Sequence, residues 1–436
     1  MVDNAVLFSP ESATSESAKL ENARPAAATF AALDLGTNNC RLLIAAPTRH
    51  GFRVIDSFSR IVRLGEGLHS SGRLSDEAMD RTIGALHACA ARIGRRRLRG
   101  LRAVATEACR RAENGRSFLD RVRHETGLSI DVISTREEAE LALESCAALL
   151  QADLPDRNLS PPDGDAGDAS GPGEMLSGPR QRGDLRVSGP TFASGSGGDP
   201  ARSRALLFDI GGGSTEIAWI RVGQGGSRIA PPELVGYQSL PLGVLTLSEL
   251  FGDSAFTRVG YEAMVEHVIS QLRRFEAVHC IRREVMRGAV RLLGTSGTVT
   301  TLASIALGLR RYKRVLVDGI VLSSAAAQDA IALLRDLGPE GMRQHQCVGP
   351  ERAAAVLPGC AIFDAIHRLW PTDSVVVADR GLRDGMLLRM MRDRPSTDTG
   401  LTASHFTAPR FTASRFTDPG AVAPMPFHRT DRVLPA

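Results

Sequence analysis

Leu206-Leu207-Phe208-Asp209-Ile210-Gly211-Gly212-Gly213-Ser214-Thr215-Glu216-Ile217-Ala218-Trp219-Ile220 reads as an apolar strand that ends in an acid, turns through glycines and hydroxyls, and returns as a second apolar strand. The same order occurs earlier, where Ala31-Ala32-Leu33 leads into Asp34-Leu35-Gly36-Thr37-Asn38-Asn39 and returns as Cys40-Arg41-Leu42-Leu43-Ile44. Glycine lets backbone N–H groups approach an anion closely, and Ser, Thr and Asn side chains add hydrogen bonds to phosphate oxygens. Gly36, Thr37, Asn38 and Asn39 would do this in the first turn, and Gly211, Gly212, Gly213, Ser214 and Thr215 in the second. One such hairpin alone is equally an ordinary glycine-rich turn. Two in the same order, each led by an apolar strand and an aspartate, point to a pair of phosphate-binding turns that grip one polyanion.

An aspartate beside such a turn repels phosphate unless a cation lies between them. Asp34 and Asp209 therefore imply Mg²⁺ or Mn²⁺ bridging carboxylate and phosphate. A third stretch, Leu292-Leu293-Gly294-Thr295-Ser296-Gly297-Thr298, follows an apolar run and opens a helical pattern through Leu302 and Ile305. Helix N-termini with glycine and hydroxyls are anion sites, which makes Gly294, Ser296 and Gly297 further phosphate contacts. Taken alone, that stretch is equally a strand-to-helix connection.

Around these turns lie two blocks, 29–152 and 204–391, in which short apolar runs alternate with helical patterns, the mark of α/β architecture. In the first block Leu101–Thr106 and Ser129–Ile133 read as further strands, and 75–93 as an amphipathic helix capped by Ser75. Residues 1–28 read as a flexible leader, 153–203 as a disordered Gly/Pro/Ser-rich insertion, and 392–436 as a disordered tail carrying near-repeats such as Arg410-Phe411-Thr412-Ala413.

At 436 residues and 43% apolar composition, the chain has room for two cored domains. No apolar run approaches the ~20 residues of a membrane-spanning helix, and no secretory leader is legible, so a cytoplasmic protein with no membrane partner is expected. Seven cysteines without a C-x-x-C pair argue against a disulfide framework or structural zinc. Lysine occurs only at Lys19 and Lys313, so arginine carries nearly all the positive charge. A GC-rich genome accounts for that bias, and phosphate recognition, which suits arginine's planar fork, is the sharper reading. No nucleic-acid partner is expected, and homodimerisation is left open.

With these motifs in place, the chain resembles the exopolyphosphatase and guanosine pentaphosphate phosphohydrolase (Ppx/GppA) phosphatase family, in its short two-domain form. The resemblance also rests on Arg63-Leu64-Gly65-Glu66-Gly67-Leu68, Ala105-Thr106-Glu107-Ala108-Cys109-Arg110-Arg111-Ala112, Arg136-Glu137-Glu138-Ala139, Ser239-Leu240-Pro241-Leu242-Gly243, and Ala378-Asp379-Arg380-Gly381-Leu382-Arg383-Asp384-Gly385. It implies two ribonuclease H-like α/β domains, of the actin, heat-shock chaperone and sugar-kinase superfamily, flanking a cleft. It implies that Glu138 is the catalytic base, that Arg110 holds the terminal phosphate, and that Glu216 joins Asp34 and Asp209 at the cation. Asn39 departs from the serine common in the family, although an amide still donates to phosphate. The implied activity is hydrolysis of the terminal phosphoanhydride of inorganic polyphosphate or guanosine pentaphosphate. The alternative is a non-hydrolytic nucleotide- or alarmone-binding regulator on the same scaffold. After residue 391 the sequence shows none of the extra helical domains of longer family members, which puts processive action on long chains in doubt.

Overall fold

The computed structural model describes residues 28–49, 51–151, 203–223 and 231–393. The expected leader, insertion and tail lie outside these residues, apart from Ala28, Ser203, Arg392 and Asp393. Strand β1 (Thr29–Leu35) pairs antiparallel with β2 (Asn39–Thr48), and β2 with β3 (Gly51–Ile61). On the other side of β1, β4 (Leu98–Ala105) and β5 (Asp131–Val132) add in parallel, giving the order β3-β2-β1-β4-β5. The later block repeats this pattern with β6 (Arg204–Ile210), β7 (Thr215–Arg221), β8 (Glu233–Leu240), β9 (Val290–Thr295), β10 (Val321–Ser323) and β11 (Ser374–Ala378). Its order is β10-β11-β9-β6-β7-β8, with β10 antiparallel at the edge. Both sheets therefore carry the ribonuclease H-like arrangement.

The central strands β1 and β6 read as near-continuous apolar runs because both faces of each sheet are covered by helices. Where the sequence suggests a strand from Leu101, pairing with β1 begins at Leu98, so the ladder overrides the Arg99-Gly100 break. The run at Ser129–Ile133 shrinks to Asp131–Val132, an edge strand paired only with Val104 and Ala105. The helix Asp76–Gly94 starts as expected, with the Ser75 hydroxyl accepting from the Ala78 N–H.

The strands respect the blocks read from the sequence, but two helices do not. The helix Thr135–Gln151 belongs to the first block, yet Ala142, Leu143, Cys146, Leu149 and Leu150 pack on Ala205, Leu207, Ala218, Leu293 and Val376 of the second sheet. The last helix, Leu382–Arg392, belongs to the second block, yet Leu382, Met386 and Leu387 pack on Phe30, Ala32, Leu43 and Val104 of the first. Each lobe thus covers one face of its sheet with a helix from the other block, and both sheets lie in one compact unit.

The two exchanged helices cross at Gly385, where a Cβ would stand 2.1 Å from the Leu141 carbonyl oxygen. Helix propensity alone predicts that Gly385→Ala stabilises by about 1 kcal/mol. The crossing predicts the opposite sign, because a backbone atom cannot swing aside as a side chain would, and overpacking typically costs about 1–3 kcal/mol. Thermal melting should show a Tm lowered by several degrees; a raised Tm would mean that the helices do not cross this closely. Among the described residues no helix is long and apolar enough to cross a membrane.

Candidate active site

The two hairpin turns are built alike. Gly36 N–H donates to the Asn39 carbonyl and Gly211 N–H to the Ser214 carbonyl, each at 2.9 Å. In the flanking ladders Asp34 stands opposite Arg41, and Asp209 opposite Glu216. The duplicated position after the turn thus carries a cation in one lobe and an acid in the other. The loop Val62–Gly65 holds the first turn from outside, with the N–H groups of Val62 and Arg63 donating to the Asn38 carbonyl and that of Gly65 to the Thr37 carbonyl. The turns meet face to face: a Cβ on Gly212 would lie 2.9 Å from Asn38 Cβ, and one on Gly213 2.7 Å from Thr37 Oγ1. Only glycine permits so close an approach of two backbones.

Between the lobes lies a cavity of about 510 Å³. Asp34, Gly36, Thr37, Asn38 and Asn39 line it from the first turn; Asp209, Gly211, Gly212, Gly213, Ser214 and Glu216 from the second; and Ser296 and Gly297 from the start of the helix Gly297–Ala306. Glu138 reaches it from the first turn of the helix Thr135–Gln151, whose start is capped by Ser134 Oγ accepting from the Glu137 N–H.

Three expected site residues stand elsewhere. Thr215 is fully buried and its hydroxyl donates to the Leu242 carbonyl at 2.7 Å, because the alternation along β7 turns it away from the cavity. Gly294 is a packing glycine, since a Cβ there would lie 2.5 Å from the Phe208 ring. Arg110 does not line the cavity but stands behind Glu138. Its guanidinium donates to Glu107 Oε2 at 2.7 Å, to the Ile133 carbonyl at 2.8 Å, and to Glu138 Oε2 at 3.3 Å.

Four carboxylates therefore share one desolvated space. Burial pushes Asp34 above the usual carboxylate range, with Arg41 and Arg383 opposing. Burial takes Asp209 up to about 6, and burial plus the charge of Asp209 takes Glu216 up to about 7, although the Ser214 and Ser239 hydroxyls stabilise its ionised form. Glu138 is raised well above the ordinary glutamate value by burial and then by Glu216, with Arg110 as the main counterweight. All four hold protons more tightly folded than unfolded; for Asp209 and Glu216 the stabilising contribution is complete below about pH 4 and lost as pH rises through about 6 to 7. In chelated buffer the Tm should fall between about pH 5 and about pH 8, and it should fall less in an Asp209→Asn/Glu216→Gln variant. Equal pH dependence in the two proteins would show that these carboxylates are not buried together.

Hard oxygen donors in a dry site suit Mg²⁺ or Mn²⁺. Among the described residues no three His, Cys, Asp or Glu side chains are gathered tightly enough to hold a metal on their own. Asp34 and Asp209 with phosphate oxygens fit Mg²⁺, which is commonly held by one or two carboxylates plus substrate phosphates. Glu216 stands beside them, its Oε1 accepting from Ser239 Oγ at 3.0 Å.

Four arginines that the sequence reading did not single out also line the cavity: Arg41, Arg352, Arg383 and Arg380, the last paired with Asp318 at 3.0 Å. Arg352 Nη2 donates to the Gly297 carbonyl at 3.0 Å and to Thr301 Oγ1 at 2.9 Å. Arg41 and Arg383 make no ion pair among the described residues. Arg41 was legible within the first hairpin and Arg383 within Gly381-Leu382-Arg383-Asp384-Gly385, whereas nothing local marks Arg352. Carboxylates and the unpaired guanidiniums of Arg41 and Arg383, Arg41 standing opposite Asp34 in the ladder, together make a site of mixed sign for a polyanion with its cation.

Fold and site together define a two-lobed, ribonuclease H-like protein with duplicated glycine-hydroxyl turns facing a shared cavity. The chain belongs to the Ppx/GppA phosphatase family, whose model matches residues 43–155 and 196–394. It is 26% identical over 372 residues to the guanosine-5'-triphosphate,3'-diphosphate pyrophosphatase of Photobacterium profundum, matching 84% of this chain and 60% of that protein. The chain thus spans about 60% of the length of that curated relative. Among solved structures it resembles the Aquifex aeolicus PPX-GPPA enzyme, with a TM-score of 0.59 and 25% identity over 83% of this chain and 99% of that one. An exopolyphosphatase from Cytophaga hutchinsonii shares the fold, with a TM-score of 0.63 and 21% identity over 84% of this chain and 98% of that one.

Proposed function

We propose that this protein is a phosphoanhydride hydrolase that removes the terminal phosphate of inorganic polyphosphate, guanosine pentaphosphate, or both. The observation that carries the reading is the meeting, in one cavity, of two glycine-hydroxyl turns with the carboxylates of Asp34, Asp209, Glu138 and Glu216. Family membership and the activities for which its relatives are named support the same chemistry.

In this reading the turn N–H groups and the side chains of Thr37, Asn38, Asn39 and Ser214 hold the terminal phosphates, while Arg41 and Arg383 neutralise the oxygens farther along. Asp34 and Asp209 would hold Mg²⁺ or Mn²⁺, with Glu216 alongside, and the ion when bound would offset charge on the bridging phosphate oxygens. Glu138 accepts a proton from the attacking water. Burial and the charge of Glu216 raise its pKa, which makes it a stronger base toward that water than an exposed glutamate, while Arg110 favours its ionised form. Arg110 pins Glu138 from behind, so its contribution is to orient the base and favour its ionised form. The leaving chain departs with the electron pair of the broken P–O bond, and its new terminal oxygen lies on the side of Arg41 and Arg383.

Phosphate release from polyphosphate, guanosine pentaphosphate and ATP, measured side by side with Mg²⁺, tests the proposal. Turnover of either of the first two, with ATP much slower, is expected. Tight binding of pentaphosphate without phosphate release would favour the regulatory alternative. A cytoplasmic location accords with this substrate choice and remains part of the same proposal.

A further inference from the structure

Resting on the hydrolase reading above, we propose that the exposed segment Arg310-Arg311-Tyr312-Lys313 is an outer binding site for extended inorganic polyphosphate, taking the part of the chain that runs out of the cavity. The segment follows the helix Gly297–Ala306, whose first residues line the cavity, and returns to the cavity rim through Tyr312. The Tyr312 hydroxyl donates to the Asp379 carboxylate. Next along the chain, Arg314 bridges Asp379 at 3.5 Å and Asp384 at 3.0 Å, and both acids line the cavity. The segment is therefore clamped at two points rather than free to swing.

What the clamp presents is unneutralised positive charge. Arg310, Arg311 and Lys313 are exposed and make no ion pair among the described residues. Unpaired exposed arginines also occur elsewhere, as at Arg95, Arg97, Arg123 and Arg273, but those segments do not line the cavity, whereas this run includes Tyr312, which does. A solvated charge run is the ordinary explanation of such a stretch, but it does not account for cations fixed at the rim of a cavity that itself holds unpaired Arg41 and Arg383. Arg41 and Arg383 inside the cavity and Arg310, Arg311 and Lys313 outside it supply cations on both sides of the rim, where Arg314 offsets the acids Asp379 and Asp384. A short substrate ends within the cavity, whereas a long chain carries further charges that meet Arg310, Arg311 and Lys313. Binding then gains by counterion release at each contact. The doubt over long chains raised by the sequence is thereby answered with a site in the second lobe.

The test is an Arg310→Ala/Arg311→Ala/Lys313→Ala variant of the full chain, compared with the parent on tripolyphosphate and on long-chain polyphosphate. The same long chain, fluorescently labelled, would be titrated into both proteins by anisotropy. The variant should show a KM and Kd for the long chain raised about tenfold, with kcat unchanged and tripolyphosphate kinetics within about twofold. The slope of log affinity against log salt should become shallower by about 2, from three lost contacts at ~0.7 each. An unchanged long-chain Kd, or an equal KM rise for both substrates, overturns the site. Single-stranded RNA that displaces the labelled chain from the parent but not from the variant, at concentrations below those at which polyphosphate binds, reassigns the surface to RNA. A parent protein that hydrolyses neither polyphosphate of any length nor guanosine pentaphosphate defeats the hydrolase reading instead, and the anisotropy comparison still decides the segment.

Discussion

Glu138→Gln is expected to lower turnover by roughly 10²–10⁴-fold while leaving substrate affinity and Tm close to those of the parent. The shape of the side chain is retained, and its amide oxygen still accepts from Arg110, which stands 3.3 Å from Glu138 Oε2. What is lost is the capacity to take a proton. Because burial and Glu216 already disfavour the ionised carboxylate, its neutral replacement removes no favourable charge that the fold depends on. Pre-steady-state and steady-state phosphate release would separate kcat from KM. A variant that keeps more than about a tenth of parental turnover removes Glu138 from the mechanism. The parental kcat should rise with pH as Glu138 ionises, a limb that the glutamine variant lacks.

Chelation is expected to abolish activity, and Mg²⁺ or Mn²⁺ to restore it. Asp34 and Asp209 are both desolvated, and each raises the cost of ionising its neighbours. Bringing phosphates into this space without a cation would add negative charge to a group of acids that already resist carrying it. Asp209→Asn should mimic part of the loss and raise the Mg²⁺ concentration needed for half-maximal rate by tenfold or more, in line with about 1.4 kcal/mol or more of lost ligation. Undiminished hydrolysis in thoroughly chelated buffer would refute the metal assignment. An Asp209→Asn variant with the parental Mg²⁺ requirement would exclude that carboxylate alone.

Much of the site was legible because its parts are local. A hairpin turn places Asp34, Gly36, Thr37, Asn38 and Asn39 within six consecutive residues, and the second turn places Asp209, Gly211, Gly212, Gly213, Ser214 and Glu216 within eight. Spacing alone therefore brings those groups together, whatever the rest of the chain does. The same locality misled at Thr215 and Gly294. Membership in a motif says nothing about which face of the strand a residue takes, and one hydroxyl satisfies a backbone carbonyl while one glycine makes room for an aromatic ring. Arg110 was expected to hold the terminal phosphate, but its place against Glu138, outside the cavity lining, depends on contacts with Glu107 and the Ile133 carbonyl that no spacing rule contains.

By itself the sequence determined that this is an α/β protein with a duplicated acid-glycine hairpin turn, since strand, acid, glycine turn and returning strand are consecutive in the chain and their geometry is short-range. Only the tertiary structure decided that the lobes exchange the helices Thr135–Gln151 and Leu382–Arg392, that Glu138 consequently faces Glu216 and Asp209, and that Arg352, 55 residues beyond Gly297, reaches that residue's carbonyl. The reason is physical: an apolar helix face is satisfied by any apolar sheet of matching shape. Which sheet receives it depends on the packing of the whole unit and not on the helix's own residues.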